Sequence, residues 1–123
     1  MKIADSSVWL EYFANGKLAE TFAKIIISTS ELIVPSVTIY EVFRKTMLEK
    51  SVNEAMTVIS YMKLGKVVFL DDLLAINAAY TGVKFKLHFA DSVIYTVTLN
   101  NNAVLYTMDK HFKGLKNVEY FEK

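Results

Sequence analysis

Asp5, Glu41, Asp91 and Asp109 are the residues whose types and placement point to chemistry in this sequence. Four converging carboxylates cannot all stay ionised unaided, because two like charges about 5 Å apart repel by roughly 3 kcal/mol at an effective dielectric near 20. Either some carboxyls bind protons or a divalent cation compensates them. An all-oxygen donor set, with no His or Cys, suits Mg²⁺ or Mn²⁺ with water completing an octahedron. Such a centre serves phosphoryl chemistry.

Each acid also has an ordinary explanation. Asp5, ahead of Ser6 and Ser7, and Asp109 could cap turns by accepting from backbone N–H groups. Asp91 falls in a first helical turn, where the macrodipole favours negative charge. Glu41 could pair with Lys45 at i,i+4, worth ~0.2–0.5 kcal/mol. Helical phase sets two of the four apart. At about 100° per residue, Val37, Ile39, Tyr40, Phe43, Met47 and Leu48 form an apolar arc, with Glu41 on its margin and Arg44 inside it. Thr38, Lys45 and Glu49 form the solvated side of that helix. Asp91 projects between Ile94 and Tyr95, away from a polar face of Ser92, Thr96 and Asn100. Acids aimed at apolar surface are costly unless paired or metal-bound.

Other groups carry less. Arg44, the only arginine, reads either as a phosphate contact or as an i,i+3 partner of Glu41. His88 and His111 are discounted, since a metal-bound water needs no imidazole and a surface histidine near lysines is common. Lys84, Lys86 and His88 form one basic group, and Lys110, His111, Lys113 and Lys116 another, each flanking an acid. Trp9 and Phe13 share a helical face and read as core. Gly16-Lys17 lacks the remaining residues of a P-loop. A strand-end Asp nucleophile usually has a second Asp two residues on, where this chain has Ser7.

The elements that must position these residues alternate short β-rich runs with helices. Strands are predicted at 2–4, 32–34 (ended by Pro35), 67–69, 104–106 and 118–121. Helices are predicted over 7–13, broken by Asn15-Gly16; 18–28; 36–50, with Ser36 as N-cap; and 52–64, stopped by Gly65. Two more run from Asp71-Asp72 to Thr81-Gly82 and over 89–99, ended by Asn100, Asn101 and Asn102. This rhythm predicts one α/β domain over 1–123, a three-layer α/β/α sandwich on a mostly parallel sheet of about five strands. Ligands in such sheets bind at the carboxyl ends of the strands, near the switch in strand order.

The 123 residues suffice for one substantial core, and 53% hydrophobic content with a single Pro argues against disorder. The absence of cysteine excludes disulfides, zinc thiolates and thiol catalysis. A net charge of +1 neither demands nor forbids a nucleic-acid partner. No apolar run is long enough to span a bilayer, and no secretion-signal pattern opens the chain. A cytoplasmic protein is expected.

The acids and their surroundings resemble the PIN-domain nucleases, especially the VapC-type toxins of prokaryotic toxin–antitoxin systems. The matching stretches are IADSS at 3–7, PSVTIYE at 35–41, HFADSVIY at 88–95 and TMDKHF at 107–112. They occur in the family's order and cover essentially the whole chain. Ser92, where many relatives have Ala, and Met108, where a basic residue is common, are the departures. The resemblance implies that Asp5, Glu41 and Asp91 hold Mg²⁺ or Mn²⁺, directly or through water, and that Asp109 completes the cluster. It casts Ser6 and Thr107 as supporting hydroxyls. It also implies RNA phosphodiester hydrolysis, a small VapB-like antitoxin whose tail covers the acidic cleft, and a homodimer. The dimer surface is expected on the helix pair over 36–64. The competing expectation is a catalytically inactive module of the same fold that binds an antitoxin or RNA.

Overall fold

The computed structural model describes every residue from Met1 to Lys123. Five strands, β1 (Lys2–Ala4), β2 (Leu32–Pro35), β3 (Lys66–Val68), β4 (Val104–Thr107) and β5 (Val118–Tyr120), form one sheet in the order β3-β2-β1-β4-β5. Every pairing is parallel. Six helices cover the sheet: α1 (Ser6–Phe13), α2 (Ala19–Ile26), α3 (Ser36–Glu49), α4 (Val52–Met62), α5 (Asp72–Phe85) and α6 (Phe89–Asn100). The result is the expected three-layer α/β/α sandwich.

Strand alternation divides the core between the two faces. Ile3, Ile33 and Leu105 pack under α5 and α6 with Leu74, Ala78, Val93, Ile94 and Val97. Their neighbours Ala4, Leu32 and Val34 turn the other way, onto Val8, Trp9, Phe22, Val58 and Met62 of α1, α2 and α4. Trp9 is core, as its helical face predicts, and stacks on Phe13 at 6.1 Å. Because β1 pairs with both β2 and β4, the chain runs outward in opposite directions from it. The switch point lies between the ends of β1 and β4, where Asp5 and Asp109 follow their strands.

Several local expectations are corrected. Pro35, not Ser36, caps α3; the Ser36 hydroxyl instead accepts Leu70 N at 3.2 Å, tying α3 to the end of β3. Gly82 does not stop α5, which continues to Phe85 and ends at Lys86 in the left-handed region (φ 58°). Gly82 is where α6 crosses closely: a Cβ there would lie 2.5 Å from Ser92 Oγ.

The helical faces also differ from the predicted ones. In α3 the buried positions are Val37, Thr38, Val42 and Thr46, while Tyr40, Met47 and Leu48 are exposed. Two neighbouring layers, rather than the apolar arc, set the rotation of this helix. Ser92 and Thr96 of α6 are buried too, because α6 is enclosed on all sides and the hydroxyls bond His88 O and Ser92 O one turn back.

Candidate active site

Asp5 takes an extended conformation straight after β1 and caps α1, accepting Val8 N at 3.3 Å. Capping is only part of its role. The carboxylate is almost fully buried, and Thr107 Oγ1 at the end of β4 donates to its Oδ2 at 2.6 Å. Ser7 Oγ donates to the other oxygen and accepts Met108 N at 2.9 Å. The Thr107 hydroxyl in turn accepts Asp109 N at 2.9 Å. Two short hydroxyl side chains therefore join the ends of β1 and β4 and place Asp109 beside Asp5. Asp109 caps the 3-10 turn Lys110–Phe112, accepting His111 N at 2.9 Å.

Glu41, in the second turn of α3, and Asp91, in the first turn of α6, come in from the helices and are both partly buried. Burial pushes the Asp5 carboxyl up to about 6, against the opposing pull of the Ser7 and Thr107 hydroxyls and Val8 N–H, with Asp109 adding a further upward push. Burial also raises Glu41, which the Ser6 hydroxyl partly offsets and the charges of Asp91 and Asp109 reinforce. Asp91 is raised by burial and then by Asp109, with His111 and His88 pulling the other way. The four predicted acids thus share one electrostatic site at the switch point.

Within that site the tightest group is Asp91, Asp109 and His111, whose ligand atoms all lie within 4.8 Å of one another. His111 Nδ1 stands 3.3 Å from Asp91 Oδ2 and 3.3 Å from Asp109 Oδ1. His111, discounted as a general acid or base, therefore stands against two of the acids. Asp109 at the start of a 3-10 turn brings the residue two positions on back over the cluster, and that spacing was visible in DKH. Ser7 was also missed as a partner of Asp5, although a hydroxyl two residues after an Asp is a recurrent turn pattern.

Arg44 is exposed and forms no ion pair, so the structural pairing with Glu41 is absent. Lys45 pairs with Glu49 at 3.8 Å rather than with Glu41. Arg44 lines an open depression of about 570 Å³ with Ser6, Ser7, Tyr40 and Glu41. Through Ser7, Leu10 and Lys45 this depression adjoins a second groove of about 530 Å³ between α1, α3 and α4. The donor chemistry fits a divalent cation: clustered carboxylates with raised affinity for protons, one imidazole, and no Lys or Arg ion-paired to Glu41, Asp91 or Asp109.

The PIN domain family model matches residues 2–118. The chain belongs to the PIN domain family. By sequence, no curated protein matches this PIN domain. Among solved structures it is similar to a toxin–antitoxin complex chain from Klebsiella pneumoniae, with 15% identity, a TM-score of 0.82 and both chains covered over 100%. It is also similar to VapC20 of Mycobacterium tuberculosis, a sarcin-ricin-loop-cleaving toxin, with 14% identity and a TM-score of 0.75. That match covers 96% of this chain and 98% of the other. DNA-bound VapBC from Salmonella typhimurium aligns with 14% identity and a TM-score of 0.72, over 98% of this chain and 96% of that one. At these identities the likeness is one of fold, shared by this PIN domain over nearly its whole length.

Proposed function

We propose that the chain is a Mg²⁺- or Mn²⁺-dependent endoribonuclease, the toxin of a VapBC-type pair, acting as a single domain over 1–123. The observation that carries this reading is the convergence of Asp5, Glu41, Asp91 and Asp109 at the switch point, with three of them raised in pKa by burial and mutual charge.

In this reading Asp5, Glu41 and Asp91 hold the cation directly or through water, and Asp109 completes the cluster. The donors on the Asp5 carboxylate fix its position at the back of the site. A divalent cation held there supplies an acidified water and charge neutralisation at the phosphate. Asp109, a third exposed at its side chain, orients or deprotonates the attacking water more readily than buried Asp5 can. Ser6 and Thr107 support the acids, and Arg44, unpaired at the rim, contacts the phosphate. Water attacks phosphorus in line and the bond to the 3′ oxygen breaks, leaving a 5′-phosphate and a 3′-hydroxyl.

The groove between α1, α3 and α4 adjoins the depression that Glu41 lines and suits the tail of a VapB-like antitoxin. A homodimer is supported by the exposed apolar side chains of α5, Leu73, Ile76, Tyr80 and Val83. No helix is long and apolar enough to cross a membrane.

The test is RNA cleavage against a Mn²⁺ titration, for the unaltered chain and for Asp5→Asn and Asp91→Asn. Metal-dependent cleavage that falls at least a hundredfold in Asp91→Asn is expected. Antitoxin binding without metal-dependent cleavage under any condition would overturn the enzyme in favour of an inactive binding module.

A further inference from the structure

We infer that His111 is a direct metal ligand, making the centre a mixed oxygen and nitrogen site that takes Mn²⁺ in preference to Mg²⁺. The inference rests on reading the acidic cluster as a metal centre and names a ligand that carboxylates alone would not supply.

His111 Nδ1 is equidistant, at 3.3 Å, from Asp91 Oδ2 and Asp109 Oδ1. Both contacts are ion pairs when the ring is protonated. With the ring neutral and its proton on Nε2, the Nδ1 lone pair faces the two carboxylate oxygens, and the three ligand atoms lie within 4.8 Å of one another. Ligand atoms about 2.1 Å from a cation, at adjacent corners of an octahedron, stand about 3 Å apart, close to the two His111 separations; the group as a whole lies within 4.8 Å and would draw in on binding.

The imidazole is also held. His111 N donates to Asp109 Oδ1 at 2.9 Å, fixing the backbone that carries the ring. The His88 ring, on the residue that caps α6, packs edge-on at 5.7 Å. The side chain of Asp91 is 15% exposed and that of His111 60%, so a cation would meet the acids from the buried side and the ring from the solvent side. Mg²⁺ favours oxygen ligands and retains its water, whereas a first-row transition ion accepts an imidazole readily.

The experiment uses the metal-free full chain, titrated with Mn²⁺ and separately with Mg²⁺ by calorimetry, and pulsed electron paramagnetic resonance of the Mn²⁺ complex. The expected results are tighter binding of Mn²⁺ than of Mg²⁺ and a ¹⁴N coupling from one directly bound nitrogen. His111→Ala should lose the coupling and weaken Mn²⁺ binding by about tenfold or more, leaving Mg²⁺ binding within about twofold. His111→Asp should restore tight binding without the coupling, while His88→Ala should retain it. Bound Mn²⁺ without nitrogen coupling in the unaltered chain overturns His111 ligation and leaves the nuclease reading standing. Nitrogen coupling with no cleavage of any RNA does the reverse.

Discussion

Thr107 Oγ1 lies 2.6 Å from Asp5 Oδ2, a hydrogen bond that spans 102 residues and joins the carboxyl ends of two adjacent parallel strands. The same hydroxyl accepts Asp109 N, so one side chain positions two of the four acids. Thr107→Val keeps the shape and removes the donor from a buried carboxylate. A hydrogen bond to a charged group contributes about 1.5–3 kcal/mol. Urea unfolding at pH 7.5 should show a loss of about 2 kcal/mol, and metal-dependent cleavage should fall with it. Unchanged stability would mean that the bond contributes nothing while Asp5 is ionised.

The raised carboxyls give a second, opposite-looking expectation. Asp5 titrates near 3.8 when unfolded and at about 6 in the fold, so between those values the native state holds a proton that the unfolded chain has released. That contribution is fully present below about 4 and is lost as pH rises through about 6, a change of roughly 3 kcal/mol for Asp5 alone. Glu41 and Asp91, shifted the same way, add to it. Metal-free protein should therefore melt higher at pH 5 than at pH 7.5. Asp5→Asn should flatten the slope, and Mn²⁺ should raise the melting temperature more at pH 7.5, where protons no longer compete. Thermal unfolding in chelator across pH 4–8 measures all three.

Packing between α5 and α6 gives a third. A methyl added at Gly82 would meet Ser92 Oγ at 2.5 Å and Ser92 Cβ at 3.3 Å. Gly82→Ala should cost about 1–3 kcal/mol, the usual penalty of overpacking. Removing the hydroxyl with Ser92→Ala clears the nearer obstacle, so the double variant should recover part of the loss. Additive penalties in a double-mutant cycle would exclude this contact as the cause.

How much of this was legible in the sequence depended on which forces set each feature. The sheet was readable because Ile3-Ala4, Leu32-Ile33-Val34 and Val104-Leu105 are short apolar runs bounded by breakers, and all five strands formed close to their expected bounds. The acids were readable as strand-end and helix-start residues of a sheet with one switch point. Helix rotation was not. Thr38, Thr46, Ser92 and Thr96 are polar in sequence yet buried because their helices are enclosed from more than one side; the Ser92 and Thr96 hydroxyls turn to carbonyls in their own helix, whereas Thr38 Oγ1 has no partner. The approach of His111 to Asp109 is local and follows from the DKH spacing, but its approach to Asp91, twenty residues away, leaves no trace in helical or strand periodicity.

For a self-association surface, α5 competes with the expected helix pair over 36–64. The helix pair over 36–64 exposes Tyr40, Met47, Leu48, Val52, Met56, Tyr61 and Leu64, interspersed with charged residues. On α5, Leu73, Ile76, Tyr80 and Val83 follow a 3-4-3 spacing, which is the seam of a helix that packs against another helix. All four are more than half exposed, and Phe69 extends the stripe. Exposed apolar stripes of this length mark association surfaces. Tyr80→Glu and Val83→Lys would each place a charge in the seam, and burying an unpaired charge opposes association. Light scattering during size-exclusion chromatography should report a dimer for the unaltered chain and a monomer for either variant, with the fold intact by circular dichroism. A dimer that survives both changes and is broken by Tyr40→Lys would return the interface to α3 and α4.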